Sequence, residues 1–289
     1  MLKKILTDTK QRLFRQKIRY SARKTAHLHK AAFASIEKYV VFLGYPRSGH
    51  SMVGSLMDAH PEMVIAHELN ALQYVEEGYS QEELFGLILH NTEAYGKNDR
   101  KWENFTYAVK GQWQGRYANL RVIGDKKGGR TTFMLMDQAD RLNRLKERVK
   151  LPMYIIHLTR NPFDNIARMY LKDQPTFEKF FPVETLADMA DVYFRYSESI
   201  ARATTSVSAG QLLEMKHEDF SQNPHQSVSK ICQFLGLDAA QDYLDACADL
   251  IYDSPNKSRH QVQWPPELIA SVQERIGQYD FLQGYHFGS

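Results

Sequence analysis

The first structured pattern in the chain is a short apolar run followed by a loop and an amphipathic segment. Residues 39–44 read YVVFLG, a continuous β-branched and apolar run typical of a buried strand. After the loop YPRSG, the apolar residues of MVGSLM at positions 52–57 recur with the spacing of one helix face. The pattern predicts a strand, a tight loop and a helix in direct succession.

The same succession occurs twice more. Residues 153–158, MYIIHL, predict a buried strand, and Pro162 stands where the first turn of a helix tolerates proline. A weaker unit runs from Gln211 through LLEMKHEDF to a helix near residues 225–235. Strands that alternate with helices predict an α/β fold, with a mostly parallel β-sheet flanked by helices. Ligands bind such sheets at the carboxyl ends of the strands.

The segment of residues 81–132 separates the first two units and has weaker periodicity. It is rich in aromatic residues, among them Trp102, Phe105 and Tyr107. We interpret it as a candidate lid over an acceptor site. The alternative is ordinary core packing of its aromatic residues.

Composition limits the class of protein. With 289 residues, 43% of them apolar, the chain is long enough for one α/β domain with appendages. Cys232 and Cys247 have no CxxC spacing, which favours a reducing compartment. No apolar run approaches the roughly 20 residues that cross a bilayer, and the first residues lack the apolar stretch of a signal peptide. We therefore expect a cytoplasmic protein.

Charge divides the chain into two parts. Residues 1–30 carry ten Lys or Arg and one acid, so they are +9, which leaves −6 for the rest of a chain whose net charge is +3. We predict a basic N-terminal helical extension over residues 1–36 and one domain over residues 37–289. The extension has a partial apolar stripe made of Leu2, Ile5, Leu13, Phe14 and Ile18. Two interpretations stay open. The extension contacts an anionic membrane, a nucleic acid or an acidic protein surface, or it packs on the domain or on a second subunit.

Residues 44–51, GYPRSGHS, match the P-loop spacing GxxxxGK[ST] except that His50 replaces the lysine. Because that lysine bridges the β and γ phosphates of a nucleotide, its loss argues against a nucleotide or small-molecule kinase. The backbone amides of Ser48, Gly49, His50, Ser51 and Met52 at a helix N-terminus still predict an anion site. Arg47 supplies positive charge inside the loop.

Three motifs in this order resemble the sulfotransferases that depend on 3′-phosphoadenosine 5′-phosphosulfate (PAPS). The loop GYPRSGHSM is similar to the family's 5′-phosphosulfate loop, and HLTRNPFD to its 3′-phosphate motif. The segment KHEDF, with a following helix that ends in FLGL, resembles the family's Tyr-Glu-Asp-Leu segment. The resemblance covers about residues 39–264.

The resemblance implies a P-loop-NTPase-like sulfotransferase fold and a PAPS donor, whose product is adenosine 3′,5′-bisphosphate. It implies that no metal is needed. The motifs do not identify the acceptor, but the aromatic residues of segment 81–132 favour a small molecule with a hydroxyl or nitrogen, such as a secondary metabolite or sugar. No specific nucleic acid is expected as a partner. A weak membrane or homo-oligomer contact is expected only through the N-terminal helix. A kinase and a non-catalytic nucleotide-binding protein are the alternatives.

PAPS carries two separate anionic groups, so its binder needs two anion sites. Arg160 follows the second predicted strand, where its guanidinium can donate two hydrogen bonds to a phosphate. Asp164 is expected to cap the next helix. Eight residues after Arg160 the family usually has a serine that contacts the 3′-phosphate, and here Arg168 takes that place. By the same resemblance, a basic loop near the C-terminus provides Lys257, Ser258 and Arg259 as 3′-phosphate ligands.

The catalytic residues are also assigned by resemblance. In the subset of the family that uses a glutamate as general base, the glutamate lies about 21 residues after the basic residue of the loop, and here that position is Glu68. His67 is the alternative base. The segment Gly124-Asp-Lys-Lys-Gly128 is similar to a family segment whose lysine binds the phosphosulfate, which assigns Lys126. Lys126 and Arg47 are expected to stabilise the leaving-group charge.

Overall fold

The computed structural model describes residues 2–205, 207–251 and 256–289, with side chains from Arg12 onward. The strands are β1 (Lys38–Gly44), β2 (Met63–His67), β3 (Lys101–Trp102), β4 (Phe105–Thr106), β5 (Val122–Lys126), β6 (Met153–Thr159) and β7 (Leu212–Lys216). The helices are α1 (Leu2–Leu28), α2 (His50–Asp58), α3 (Ala71–Glu76), α4 (Gln81–Gly96), α5 (Gly128–Asp137), α6 (Arg141–Val149), α7 (Pro162–Phe177), α8 (Leu186–Thr204), α9 (His217–Gln222), α10 (Pro224–Phe234), α11 (Gln241–Ala248) and α12 (Pro266–Ile276). The side chains of Leu2 and Ile5, in the predicted apolar stripe, lie outside the described part.

Within the described residues, five strands form one parallel sheet in the order β2-β5-β1-β6-β7. This confirms the predicted α/β fold class. The register aligns the carboxyl ends of the strands: Gly44 lies beside Leu158, His67 beside Lys126, and Thr159 beside Lys216. The loops that follow these residues therefore emerge along one edge of the sheet, where the sequence predicted a ligand site.

The central strand β1 is buried on both faces. Tyr39, Val41 and Leu43 belong to one hydrophobic cluster, whereas Val40 and Phe42 belong to the other. Successive side chains of a strand point to opposite faces, so this alternation places one apolar layer on each side of the sheet. Helices cover both layers, which explains why the strand reads as an unbroken apolar run.

Two elements within residues 81–132, α4 and β5, belong to the core rather than to a lid. Leu84, Phe85 and Ile88 of α4 are buried in the main hydrophobic cluster, and β5 pairs with both β1 and β2. The β3–β4 hairpin differs, because the side chains of Trp102 and Phe105 are exposed. The interpretation of this segment as a lid therefore applies at most to the hairpin.

Helix α1 packs against α4 at a closely spaced contact. Ala22 and Ala26 are buried against Gly86, and a Cβ atom built on Gly86 would lie 2.1 Å from the carbonyl oxygen of Ala22. Beside this contact, Arg23 donates a hydrogen bond to Glu83 at 2.7 Å. Small residues thus let the two backbones approach.

No helix in the described ranges is long and apolar enough to cross a membrane.

We predict that Gly86→Ala lowers the free energy of unfolding by about 1–3 kcal/mol, because the added methyl group must push α1 away from α4. Gly96→Ala in the same helix is the matched control, since its Cβ would have only Arg100 nearby, at 3.8 Å. That variant should be neutral or stabilised by up to about 1 kcal/mol. Urea unfolding of both variants measures the difference, and equal stability would contradict the close contact.

Candidate active site

The loop between β1 and α2 is held in a strained, defined shape. Arg47 has a φ of 65° and Gly49, the residue before α2, has a φ of 97°. Ser48 Oγ donates to the carbonyl oxygen of Tyr45 at 2.8 Å, and Asn165 Nδ2 donates to that of Pro46 at 2.7 Å. The loop therefore presents the first amides of α2 at the carboxyl edge of the sheet, an arrangement that binds anions.

His50 does not replace the P-loop lysine. Its Nε2 lies 3.1 Å from the carbonyl oxygen of Leu43, and its Nδ1 lies 2.9 Å from Ser48 Oγ. The carbonyl oxygen of Leu43 only accepts, so Nε2 carries the ring proton, and Nδ1 accepts from the Ser48 hydroxyl, whose single proton is shared with the carbonyl oxygen of Tyr45. Burial lowers the pKa of His50 to about 4, so the ring is neutral near pH 7. The side chain supports the loop from inside, and only its backbone amide is placed for an anion.

The guanidinium of Arg47 is held by two carboxylates. It donates to both carboxylate oxygens of Asp173, at 2.7 and 2.9 Å, and to both of Glu103, at 2.8 Å. The hydrogen bonds to Asp173 and then those to Glu103 raise the pKa of Arg47, against the effect of burial. Asp173 belongs to α7 and Glu103 to the turn between β3 and β4. Arg47 thus joins the hairpin to α7 at the predicted anion site.

Glu68 and Lys126, predicted as base and cation, form an ion pair of 2.5 Å. Lys127 also donates a hydrogen bond to Glu68, and Lys126 Nζ lies 2.9 Å from Ser51 Oγ. The side chain of Lys126 is only 1% exposed, and a Cβ on Gly54 would lie 2.6 Å from its Cγ. Lys126 therefore reaches the end of the phosphate loop by crossing α2 where that helix has no side chain.

The electrostatics of this cluster favour ionised Glu68. Burial raises the pKa of Glu68, but the charges of Lys126 and Lys127 outweigh burial and lower it to about 2. Burial lowers the pKa of Lys126, and Glu68 opposes that shift. Removal of either partner would leave the other as a buried charge without a counter-ion, so the stability of each charge depends on the other.

Asp125 positions Glu68 through the backbone. Its carboxylate accepts from the amides of Leu69 at 3.1 Å and Ala71 at 2.7 Å, while burial raises its pKa to about 6. Glu68 has a φ of 58°, a left-handed conformation that is uncommon for glutamate. The hydrogen bonds to Asp125 offset this strain and turn the Glu68 side chain toward the lysines.

His67, the alternative base, is packed among aromatic rings. It stacks on Tyr95 at 4.1 Å between ring centroids and meets the edge of Trp102 at 4.9 Å. Burial, followed by the charge of Lys126, lowers the pKa of His67 to about 3. The ring therefore lies behind the hairpin, and the neighbouring Glu68 faces the cavity instead.

Arg160 and His217 meet on the other side of the loop. Arg160 donates to the carbonyl oxygen of Arg47 at 3.2 Å and to that of Asn256. Arg160 Nε and His217 Nδ1 are buried and have no hydrogen-bond partner among the described residues. Burial lowers the pKa of both groups, that of His217 to about 4. A Cβ on Gly49 would lie 2.5 Å from His217 Nδ1, so glycine is required there.

The remaining predicted phosphate ligands differ in whether they line the cavity. Arg168 lines it, and no hydrogen bond or ion pair of its side chain is found in the described ranges. Lys257 is exposed and Ser258 is buried, and neither lines the cavity. Arg259 instead forms a buried ion pair with Asp164, at 2.5 Å. The predicted Ser254 and Pro255 of that loop lie outside the described residues.

The expectation that Asp164 caps α7 is wrong. Asn161 is the capping residue, because its side chain accepts from the amide of Phe163 at 3.0 Å. Both oxygens of Asp164 are used by Arg259, whose Nη1 also donates to the carbonyl oxygen of Phe287 at 2.7 Å. The pair therefore joins the loop after residue 256 and the C-terminal tail to the start of α7.

One cavity of about 790 Å³ unites these groups. Its charged end includes Arg47, Ser51, Glu68, Lys127 and Arg160. Its other walls are apolar and aromatic, lined by Met52, Trp102, Phe105, Tyr107, Phe133, Phe177, Phe180 and Tyr196. In the part of the chain that the structure describes, no group of three or more His, Cys, Asp or Glu side chains is arranged to hold a metal ion. The cavity thus combines an anion site, a carboxylate and an apolar chamber.

The cavity has polar lining residues that were not assigned from the sequence, among them Glu103, Lys127, Asp173, His217 and Asn256. His217 had a detectable signal, because it follows the third predicted strand at the same edge as Arg160. Lys127 also had one, because it stands beside Lys126 in the segment Gly124-Asp-Lys-Lys-Gly128. Glu103, Asp173 and Asn256 had none, since their importance comes from partners distant in the chain. Glu103, for example, reaches Arg47 only because the hairpin folds over the loop.

Comparison with known proteins gives one consistent result. Residues 40–242 match the Sulfotransferase family, whereas no curated protein matches the sequence. The sulfotransferase domain from the curacin biosynthetic pathway is similar in structure, with a TM-score of 0.56 and 14% identity over 85% of this chain and 98% of that one. Sulfotransferase STF1 from Mycobacterium tuberculosis has a TM-score of 0.50 and 14% identity, over 88% of this chain and 80% of that one. At such identities the likeness concerns the fold alone.

We predict that Glu68→Gln lowers the free energy of unfolding at pH 7 by about 3 kcal/mol, because Lys126 loses its buried counter-ion. Since the folded-state pKa of Glu68 is lowered to about 2, its stabilising effect is complete above about pH 4.5 and is lost as the pH falls toward 2. The two proteins should therefore converge in stability over that range in urea unfolding experiments.

Glu82→Gln, at an exposed position on α4, is the matched control for this measurement and should leave stability unchanged. A difference between Glu68→Gln and wild type that stays constant from pH 7 to pH 3 would contradict the ion-pair assignment.

Proposed function

The chain belongs to the sulfotransferase family, and on this premise we propose that it transfers a sulfuryl group from PAPS to a hydroxyl or nitrogen of a small-molecule acceptor. The observation that carries the proposal is the cavity at the carboxyl edge of the sheet. It contains a helix N-terminal loop, a buried arginine whose Nε has no partner among the described residues, and a carboxylate bound by two lysines. These are the groups that a donor with two anionic groups and an acceptor that loses a proton require.

The donor site consists of two anion sites that share the phosphate loop. The first amides of α2, with Ser51 and Lys126, would hold the 5′-phosphosulfate. Arg160 and Arg168 would hold the 3′-phosphate, because Arg160 has a donor without a partner and Arg168 faces the cavity unpaired within the described ranges. Arg259 would act indirectly, since it fixes the loop that presents Asn256 to Arg160. PAPS, when bound, supplies the sulfuryl group and leaves as adenosine 3′,5′-bisphosphate.

Glu68 is the proposed general base, but it is a weak base while the lysines bind it. Its pKa of about 2 means that it rarely takes a proton near pH 7. A bound phosphosulfate offers Lys126 and Lys127 new anionic partners, which weakens their hold on Glu68. The pKa of Glu68 would then rise toward its ordinary value, so the base becomes effective only when the donor is present. Lys126 would at the same time stabilise the charge of the leaving group.

The aromatic part of the cavity is the proposed acceptor site. Phe133 and Phe180 meet at 5.0 Å between ring centroids, and the guanidinium of Arg130 covers Phe133 at 4.9 Å. Trp102 and Phe105 lie across from them on the hairpin. Such walls favour an acceptor with a flat or extended apolar body over a strongly hydrated sugar.

We do not propose a kinase. A P-loop kinase needs a cation in place of His50 to bridge the phosphates, and here the imidazole is neutral and hydrogen-bonded within the loop. A non-catalytic nucleotide-binding protein would share the donor site, so turnover distinguishes it from the enzyme.

Adenosine 3′,5′-bisphosphate should raise the melting temperature of the protein more than adenosine 5′-monophosphate does, because only the first has a group for Arg160 and Arg168. Arg168→Ala should weaken bisphosphate binding by about tenfold or more and leave monophosphate binding unchanged. Arg202→Ala, at an exposed position on α8, is the control. Equal stabilisation of the wild type by both nucleotides would refute the 3′-phosphate site, and a response only to ATP with Mg²⁺ would favour a kinase.

Glu68→Gln should lower kcat by about 100-fold to 10,000-fold while bisphosphate affinity is retained. The measurement is release of adenosine 3′,5′-bisphosphate from PAPS, with a panel of phenols and naphthols as acceptors. Glu62→Gln, at the other end of the β2 segment, is the matched control and should keep its rate. If Glu68→Gln turned over at the wild-type rate, another group would be the base.

A further inference from the structure

Helix α1 exposes large apolar side chains to an unusual degree. Among the described residues, four of the eight exposed large hydrophobic side chains belong to it: Leu13 at 53%, Phe14 at 64%, Tyr20 at 70% and Leu28 at 69% exposure. Exposed apolar groups concentrated on one element mark a contact surface more often than scattered ones do. The face is not explained by the active site, because none of these residues lines the cavity.

The exposed side chains alternate with lysines on the outer side of the helix. At about 100° per residue, Leu13, Lys17, Tyr20 and Lys24 fall within roughly 60° of one another. Ala22, which is buried against α4, falls on the opposite side. The outer face of α1, defined by Leu13, Lys17, Tyr20, Lys24 and Leu28, is therefore a separate surface.

The described part of this face is basic. Lys17 and Lys24 are exposed on it, and their seven-residue spacing keeps them near one side of a helix. The sequence has two further lysines, at positions 3 and 10. The first 30 residues contain a single acid, Asp8. An apolar stripe accompanied by lysines is the pattern of helices that lie in the interface of anionic bilayers.

The direction of α1 keeps this face clear of the cavity. Arg15 pairs with Glu77, Arg23 with Glu83 and His29 with Glu93, so α1 runs in the same direction as α4. The far end of α4 is the one near the active site, since Asn91 accepts a hydrogen bond from the amide of His67. The first half of α1 therefore extends past the start of α4, away from the cavity.

We propose that the outer face of α1 binds the surface of an anionic lipid membrane. A second copy of the chain is a poorer partner, because two such faces would bring lysine rows together. Nucleic acid would engage the lysines but would leave Leu13, Tyr20 and Leu28 exposed. A lipid surface satisfies both the charges and the apolar side chains, and it leaves the cavity accessible.

The test is flotation of the purified full chain with vesicles of phosphatidylcholine alone and of phosphatidylcholine with 30% phosphatidylserine. We expect binding to the anionic vesicles that is at least about tenfold stronger, and that falls as salt is raised from about 0.1 M to 0.5 M. Equal binding to both vesicles, or none to either, would overturn the proposal.

Two variants separate charge from apolar contact. Lys17→Glu with Lys24→Glu should weaken binding to anionic vesicles by about tenfold or more, whereas the control Lys146→Glu with Lys230→Glu should not. Leu13→Glu should also weaken it, while Leu171→Glu, at an exposed position on α7, should not. All these positions are exposed, so folding should be retained, as unchanged melting temperatures would show.

If the outer-face variants bound anionic vesicles as well as the controls do, the face would not be a membrane site. A concentration-dependent dimer in light scattering, abolished by Leu13→Glu, would instead assign the face to a second copy of the chain. Tighter binding to a single-stranded oligonucleotide than to the vesicles would assign it to nucleic acid. Neither result depends on donor binding or turnover.

Discussion

The buried ion cluster of Glu68 with Lys126 and Lys127 is the interaction on which the site depends. A lysine as buried as Lys126 is costly unless a counter-ion accompanies it, and Glu68 is that counter-ion. Asp125 fixes the left-handed turn that carries Glu68, and Gly54 makes room for the lysine stem. The carboxylate proposed as the base, the cation proposed to stabilise the leaving group and the backbone around them therefore form one unit, so a change to one part alters the electrostatics of the others.

The same principle governs the other cations of the cavity. Asp173 and Glu103 neutralise Arg47, and backbone carbonyl oxygens hold Arg160. Arg130 and Arg168 line the cavity without an ion pair or hydrogen bond of their side chains within the described ranges, and Arg130 lies over Phe133. At the paired cations, an anionic donor would therefore replace carboxylates of the protein as the partner, rather than bind cations that have no partner. In the proposed function, such an exchange would link donor binding to the basicity of Glu68 and, through Glu103, to the β3–β4 hairpin.

The scaffold contributes by alignment. Glu68, Lys126, Arg160 and His217 each lie at or just beyond the carboxyl end of a strand, so the parallel register brings them to one edge although up to 149 positions separate them. Helix α1 lies outside this arrangement, on α4, where Gly86 permits close contact. The candidate active site and the proposed membrane-binding face thus lie on different parts of one chain.

The sequence by itself determined the strand-loop-helix units and the parallel α/β class, because these depend on local periodicity. It also marked the loop after β1 and Arg160 as candidate anion sites, whereas the family resemblance assigned Glu68 and Lys126. The sequence did not determine which groups would pair. Arg259 was expected at a phosphate and binds Asp164, while His50 turns into the loop. Only the tertiary structure decided these partners, since hydrogen bonds and ion pairs depend on distances between segments far apart in the chain, which no local pattern contains.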